Sequence, residues 1–177
     1  QWTGSELPLA FASDSNPTDP VSNVNDKLIS FNDRPANRWT NWNRSNPEAS
    51  VGVLFGDSGI LSKRSVDNLS VGFHEDHGVG APKSYVIEYY VGKTVPTAPK
   101  NPSFVGNENH VFNDPANWKP VTNLKAPEQL KAGEMNHFSF DKVETYAVRI
   151  RMVKADNKRG TSITEVQIFA KQVAAAK

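Results

Sequence analysis

The chain has 177 residues, and its 20 basic and 19 acidic side chains give a net charge of +1. This length is enough for one domain with a hydrophobic core of its own. The balanced charge argues against a nucleic-acid partner and against binding to an anionic membrane surface, since both need a basic surface. No apolar run approaches the length that spans a bilayer, so we expect no membrane insertion.

Cysteine is absent from the sequence. Its absence excludes thiol catalysis, zinc–thiolate sites and disulfides. Animal secreted β-domains usually carry disulfides, so a cysteine-free β-domain favours a bacterial surface protein, with a cytoplasmic protein as the alternative. The polar residues 1–5 lack the basic segment of a signal peptide. Because the sequence starts with Gln1, we expect a segment excised from a longer chain.

Short apolar or alternating segments recur along the chain, with turn residues between them. They predict strands at residues 7–12, 50–55, 69–73, 84–91, 118–124, 135–140, 145–153 and 162–169. In the strand at 145–153, the side chains expected on one face are those of Tyr146, Val148, Ile150 and Met152. In the last strand Ile163, Val166 and Ile168 point inward, with a break at Glu165. Only residues 126–133 have a helical pattern.

This pattern predicts an all-β fold, an antiparallel β-sandwich or jelly roll. We expect one domain over residues 1–171 and a C-terminal tail or linker over 172–177. The segment 94–117 is long and rich in proline and asparagine. We interpret it as either a functional insertion or a lid packed over the sandwich.

The segment 32–46, NDRPANRWTNWNRSN, places two tryptophans in a polar surrounding. Pro35 and the many Asn and Asp residues predict a shaped loop instead of a helix or strand. We interpret Trp39 as a core residue and Trp42 as a platform that faces a ligand. The alternative is that both rings are packing residues.

Six segments, in this order, resemble the discoidin-like, galactose-binding jelly rolls: NRWTNW, SVGVLFG, PKSYVIEYYVG, the isolated Trp118, TYAVRIRM and GTSITEVQIFA. The sequence resembles in particular the galactose-binding carbohydrate-binding modules of the family 71 type, which are attached to family 2 β-galactosidases at the bacterial cell surface. The resemblance implies non-catalytic, extracellular binding of terminal β-galactose or lactosamine-type glycans. It also implies a monomeric module within a multidomain chain.

Sugar binding needs an aromatic face and a few fixed donors and acceptors. Three polar loops can supply them, with the candidates Trp42 and Arg44, then His74, Glu75, Asp76 and His77, then Asn157, Lys158 and Arg159. By analogy with jelly rolls, we expect these loops to meet at one end of the sandwich. For each loop the alternative is a solvated turn. A competing site loop is 107–113, which carries His110 and Phe112.

The resemblance also implies a structural calcium ion near the first loop. The residues that match the family's ligands are Asp26, Asn37 and Glu165, with Asn32 as a rival for the role of Asp26. The sequence departs from the family pattern at Lys27, which stands in place of glycine, and at Asn37, which replaces threonine. The alternative is a hydrogen-bonded loop without a metal.

Nothing in the sequence predicts catalysis. Glu75 and Asp76 are adjacent, so in an extended segment they point to opposite faces and cannot flank one glycosidic bond. His74 and His77 lack a third zinc ligand, and neither a phosphate-binding loop nor a nucleophile elbow is present. We therefore expect a binding module. The alternatives are a protein-interaction or adhesion domain that uses the same loops, and a structural spacer.

Overall fold

The computed structural model describes residues 7–31, 37–156 and 158–173. Strands and short 3₁₀ helices account for its regular structure. The strands are β1 (Leu9–Ala12), β2 (Trp39–Thr40), β3 (Glu48–Leu54), β4 (Gly56–Asp57), β5 (Ile60–Leu61), β6 (Arg64–Phe73), β7 (Val79–Gly80), β8 (Ser84–Tyr90), β9 (Trp118–Pro120), β10 (Glu134–Thr145), β11 (Ala147–Val153), β12 (Gly160–Gln167) and β13 (Lys171–Gln172). The helices are η1 (Val21–Asn25), η2 (Pro102–Asn107), η3 (Val111–Asn113) and η4 (Pro115–Asn117). Within these described ranges, no helix has the length and apolarity to cross a membrane.

Two sheets pack face to face. A five-stranded sheet has the order β1-β3-β11-β8-β9, and a six-stranded sheet is built on the path β10-β6-β12-β2. β13 joins β6, β7 pairs in parallel with β12, and β4 and β5 form a separate hairpin. Apart from β7 and β12, all the strand pairs of the described residues are antiparallel. The predicted antiparallel sandwich is confirmed, and β13 includes Gln172, the first residue of the predicted tail.

The alternation of the sequence decides which side chains enter the core between the sheets. Val51 and Val53 of β3 face Phe73 and its neighbours from the second sheet, as their spacing predicts. The register of β12 against β6 shifts between Ile163 and Glu165, which is the predicted break, and Val166 is then again buried. Trp39 is 0% exposed in β2 and is a core residue, as predicted.

Two local predictions are wrong. Residues 126–133 are not helical, because the amide of Asn136 replaces helical bonding by accepting the N–H of Lys131 (2.8 Å) and donating to the Lys131 carbonyl (2.8 Å). Gly133 then turns the chain with a φ of +87°. Tyr146 lies between β10 and β11 and packs against the buried cluster of Phe11, Leu54 and Trp118 on the outer side of the five-stranded sheet, instead of sharing the inner face of β11.

The insertion 94–117 packs as a lid over the outer face of the five-stranded sheet. Its Phe112 is buried, and the ring centroid lies 4.6 Å from that of Phe11 and 5.2 Å from that of Trp118. Trp118 Nε1 donates to the Phe112 carbonyl at 3.0 Å. The guanidinium of Arg149 lies 4.0 Å from the centre of the Trp118 ring, a cation–π contact. The lid interpretation is therefore confirmed.

We expect Phe112→Ala to lower the free energy of unfolding by about 3–5 kcal/mol, because it removes a buried aromatic ring and leaves a cavity. Urea unfolding followed by circular dichroism measures the change. The control is Phe169→Ala, whose side chain is 76% exposed and which should change stability by no more than about 0.5 kcal/mol. Equal effects of the two substitutions would contradict the lid.

Candidate functional site

Three loops meet at one end of the sandwich, where β2, β6 and β12 begin or end. The first follows β2, the second runs over residues 74–78, and the third precedes β12. The amide of Asn41 accepts the N–H of Thr161 at 2.6 Å, and the Asn41 N–H donates to the Thr161 carbonyl at 3.3 Å. The N–H of Gly160 donates to the Gly78 carbonyl at 2.9 Å. The structure thus brings together the loops that the sequence analysis expected to converge.

Trp42 lies where these loops meet, and it is 48% exposed. Its backbone is fixed on both sides. The N–H donates to Thr40 Oγ1 at 3.2 Å, and the carbonyl accepts Asn16 Nδ2 at 2.9 Å. A half-exposed indole on a fixed backbone offers a flat apolar surface without losing much conformational freedom when a ligand arrives.

The second loop divides its polar side chains between the surface and the interior. Glu75 and His77 are exposed. His74 is only 1% exposed. Its backbone N–H donates to the Ser162 carbonyl at 3.1 Å, and its ring Nδ1 lies 3.4 Å from Arg38 Nη1. His74 therefore lies behind the surface in this structure, whereas Glu75 and His77 can reach a ligand.

Asp76 organises the second loop. It accepts Arg38 Nη1 at 2.8 Å and the N–H groups of Gly78 and Val79 at 2.8 and 3.1 Å. Burial raises the pKa of Asp76, but the hydrogen bonds from Arg38 and the two N–H groups outweigh it and hold the pKa below its usual value. The Asp-x-Gly spacing is a signal for this turn. Arg38 was missed, because nothing in the sequence indicates its partner.

The third loop has the same construction. Asp156 accepts the N–H groups of Lys158 and Arg159 at 2.7 and 2.8 Å. Lys158 is exposed, and Arg159 Nη1 donates to Glu75 Oε1 at 3.1 Å. This ion pair joins the second and third loops at the surface. Asn157 lies outside the described residues.

Arg44 makes its contacts elsewhere. Its Nε donates to the Asp14 carboxylate at 3.0 and 3.2 Å, and its guanidinium lies 5.6 Å from the centre of the Phe104 ring. Lys154 Nζ donates to the Arg44 carbonyl at 3.1 Å. Lys154 belongs to the loop that precedes β12, so this bond joins the main chain at Arg44 to the third loop. The guanidinium of Arg44 contacts Asp14 and Phe104, and Arg44 stays a predicted site residue.

Two other regions compete as sites. In the loop 107–113, His110 Nε2 contacts the Thr97 carbonyl at 2.7 Å and Phe112 is buried in the lid. A cleft of about 780 Å³ lies between β1, η1 and η2. Two side-chain amides that line the cleft already donate to backbone carbonyls. Asn16 Nδ2 donates to the Trp42 carbonyl, and Asn25 Nδ2 donates to the Pro8 carbonyl, both at 2.9 Å. Size alone therefore does not select the site.

Of the four residues predicted to hold calcium, Asp26 lies close to Glu165 of β12, Asn37 contacts the loop that follows Asp26, and Asn32 lies outside the described residues. Asp26 Oδ1 accepts the N–H of Leu28 at 2.8 Å, and Asn37 Nδ2 donates to the Leu28 carbonyl at 2.9 Å. Glu165 is 2% exposed. Burial and the negative charge of Asp26 raise its pKa to about 7. The two carboxylates are thus close enough to repel each other.

These residues fit a hard cation. Glu165 Oε1 is buried and has no hydrogen-bond partner among the described residues, and a cation would neutralise it together with Asp26. In the part of the chain that the structure describes, no three His, Cys, Asp or Glu side chains form a metal-binding group. Amide or backbone oxygens would have to complete the ligand set, as calcium permits.

The comparisons with known proteins agree with this architecture. The sequence model of the family described as "Beta-galactosidase-like, Galactose-binding domain" matches residues 10–166. A solved structure from a study of the Streptococcus pneumoniae β-galactosidase BgaA is 95% identical, with a TM-score of 0.92, over 97% of this chain and 96% of that one. No curated protein matches the sequence significantly.

More distant solved structures share the fold. The family 32 carbohydrate-binding module of Clostridium perfringens NanJ, solved with galactose, is 17% identical, with a TM-score of 0.58, over 90% of this chain and 91% of that one. A chitosan-binding module from Paenibacillus sp. IK-5 is 15% identical, with a TM-score of 0.59, over 96% and 99%. The relationship predicted from the sequence motifs is confirmed. The chain belongs to the β-galactosidase-like galactose-binding domain family and is a carbohydrate-binding module, not a catalytic domain.

Proposed function

We propose that this module binds terminal β-galactosides, including lactosamine-type glycans, through the loop end that carries Trp42. The observation that supports this most is the half-exposed indole at the junction of three polar loops. The C–H face of a galactose ring stacks on such a surface, while nearby polar groups bind its hydroxyls. The galactose bound by the NanJ module and the galactose-binding description of the family support this choice of sugar.

Each surface group has a chemical role in this proposal. Glu75 accepts hydrogen bonds from sugar hydroxyls, and Lys158 donates to them. His77 can do either, and Arg159 can share its donors between Glu75 and the sugar. Asp76 and His74 lie behind these groups and hold the loop in place. The axial 4-hydroxyl of galactose would be read by this polar rim.

Such a site binds weakly on its own, with a dissociation constant on the order of 10⁻⁴ M, because a terminal sugar buries little surface. We propose that the module is a monomeric part of a multidomain chain at the bacterial cell surface. There it would target a parent β-galactosidase to glycans or support adhesion to them. Neighbouring modules raise the effective affinity through avidity.

We also propose that a structural calcium ion binds at Asp26, Asn37 and Glu165. Its role is to neutralise the two close carboxylates and to fix the loop after η1 against β12. The buried Glu165 Oε1, which has no hydrogen-bond partner in the described part of the chain, supports this assignment. The chemistry that the ion supplies is structural, and no hydrolytic step involves it.

We expect Trp42→Ala to weaken the binding of N-acetyllactosamine at least about tenfold, because a central aromatic platform is lost. Calorimetric titration measures the affinity. The unfolding midpoint should change little, since the ring is half exposed. Phe169→Ala removes another exposed aromatic ring and should bind as the wild type does. A folded Trp42→Ala variant with wild-type affinity would refute the platform.

A glycan array with the isolated domain separates this proposal from its alternative. We expect a selective signal on glycans that end in β-galactose. If the folded domain gives no signal, the result would favour an adhesion or interaction module that binds a protein through the same loops, or a structural spacer. Hydrolysis of an arrayed sugar would contradict a binding-only function.

We expect calcium to raise the unfolding temperature of protein that has been treated with EDTA, because an ion that binds only the folded state stabilises it. Glu165→Gln and Asp26→Asn should each reduce or abolish this rise. Differential scanning calorimetry with calcium, and with magnesium as a control, measures it. An identical unfolding temperature with and without calcium in the wild type would refute the metal site.

The raised pKa of Glu165 predicts a pH dependence in EDTA. Folding favours the protonated carboxyl, so its stabilising contribution is complete below pH 4.5, the ordinary pKa, and is lost as the pH rises through about 7. Glu165→Gln mimics the protonated form. Relative to this variant, the wild type should therefore lose stability between pH 4.5 and about 7. A constant difference between the two proteins across that range would contradict the raised pKa.

A further inference from the structure

We infer that Gly78 and Gly160 are positioning residues for Trp42, and that they hold its indole in the orientation that receives the sugar. This inference rests on the proposed function of the Trp42 loop end. It concerns residues that touch the platform and not the ligand.

Gly78 leaves space for one edge of the indole. A Cβ atom at this position would lie 2.8 Å from Trp42 Nε1 and 3.0 Å from Trp42 Cδ1. Both distances are shorter than a van der Waals contact between these atoms. The pyrrole edge of the ring therefore packs against the backbone of residue 78. The exposed part of the ring must lie on its other side.

Gly160 leaves space for the backbone of the same residue. A Cβ atom there would lie 2.7 Å from Trp42 N and 2.8 Å from Trp42 Cα. The N–H of Gly160 also donates to the Gly78 carbonyl at 2.9 Å. The two glycines are therefore neighbours, one beneath the ring and the other beneath the main chain.

The backbone conformation does not explain why these positions carry glycine. The described glycines with positive φ are Gly59 and Gly133, and neither Gly78 nor Gly160 is among them. Alanine could adopt both conformations without the strain of the left-handed region. The requirement for glycine comes from the close approach of Trp42.

Surrounding hydrogen bonds fix the backbone at Gly78 and Gly160, which we call the indole-contacting backbone. The Asp76 carboxylate accepts the N–H of Gly78, and Arg38 holds Asp76 at 2.8 Å. On the other side, Asn41 Oδ1 accepts the N–H of Thr161 next to Gly160. A side chain added at Gly78 would therefore displace the indole, because the backbone beneath it is fixed.

Gly80 provides a matched control on β7. A Cβ atom at Gly80 would meet nothing closer than Arg159 Nη1 at 3.7 Å, and Glu75 lies at 3.9 Å. These are ordinary contact distances. Gly80→Ala thus makes the same chemical change two residues away without touching Trp42.

The experiment is calorimetric titration of N-acetyllactosamine into Gly78→Ala and Gly80→Ala. We expect Gly78→Ala to bind about tenfold more weakly, because the displaced indole must take a less favourable rotamer to meet the sugar. Gly80→Ala should stay within about twofold of the wild type. Acrylamide quenching of tryptophan fluorescence should increase only in Gly78→Ala, since its indole is pushed outward. Wild-type affinity and quenching in folded Gly78→Ala would overturn the inference.

A double-mutant cycle with Trp42→Phe tests the contact itself. Phenylalanine lacks the pyrrole edge, so the loss caused by Gly78→Ala should be much smaller in the Trp42→Phe background. If Gly78→Ala alone does not fold, the double variant should fold, because the clash is gone. The same loss, or the same failure to fold, in both backgrounds would overturn the inference.

The inference and the proposed function can fail separately. If the wild type binds no galactoside, the proposed function fails. Acrylamide quenching of Gly78→Ala and Gly80→Ala still measures whether Gly78 sets the exposure of the Trp42 indole. If Trp42→Ala loses binding but Gly78→Ala does not, the platform stands and the positioning role is refuted.

Discussion

The loop end that carries Trp42 depends on the ion pair between Arg38 and Asp76. Arg38 precedes β2, and Asp76 lies in the loop after β6, so the 2.8 Å contact joins two separate parts of the chain. Both side chains are largely buried. Removal of Arg38 would leave the buried Asp76 carboxylate without its cationic partner, which is costly away from water, whereas Arg38 also lies 3.9 Å from the carboxylate of Asp19. Asp76 also holds the N–H groups beneath Trp42, so the pair determines the shape of the loop as well as its attachment.

The two tryptophans of the first loop divide anchoring and presentation between them. Trp39 is buried, and its Nε1 donates to Ser15 Oγ at 2.9 Å. It thereby fixes β2, which has only two residues, against the core. Trp42 follows three residues later and is held by its backbone. A buried anchor that close in sequence limits the movement of the exposed ring. An isolated surface tryptophan would have no such restraint.

The sequence predicts the parts of this structure that depend on local patterns. Alternation identified β3, β11 and the break in β12, because burial of one sheet face imposes a period of two. The helical pattern at 126–133 failed because Asn136, which is separate from that segment, captures its backbone. Arg38 and Gly78 were missed for a related reason. Their roles come from partners 38 and 36 residues away, and no local spacing records such contacts.

The difference between local patterns and distant contacts also explains why the sequence predicts which loops form the site but not the role of each residue in them. Composition marked the segment 74–77 as polar, yet it could not separate His74, which is buried, from His77, which is exposed. That separation is decided by where β6 ends and β7 begins.

Rigidity at this end suits a ligand that offers little surface. A terminal sugar makes few contacts. The entropic cost of ordering a flexible loop would therefore cancel much of the free energy that these contacts contribute. Here Asp76, Asn41 and Asn16 fix the backbone around Trp42 before any ligand is present. The binding energy of the sugar can then appear as affinity. Under the proposed function the buried area is small, so a single site would have a low affinity that several linked modules would raise through avidity.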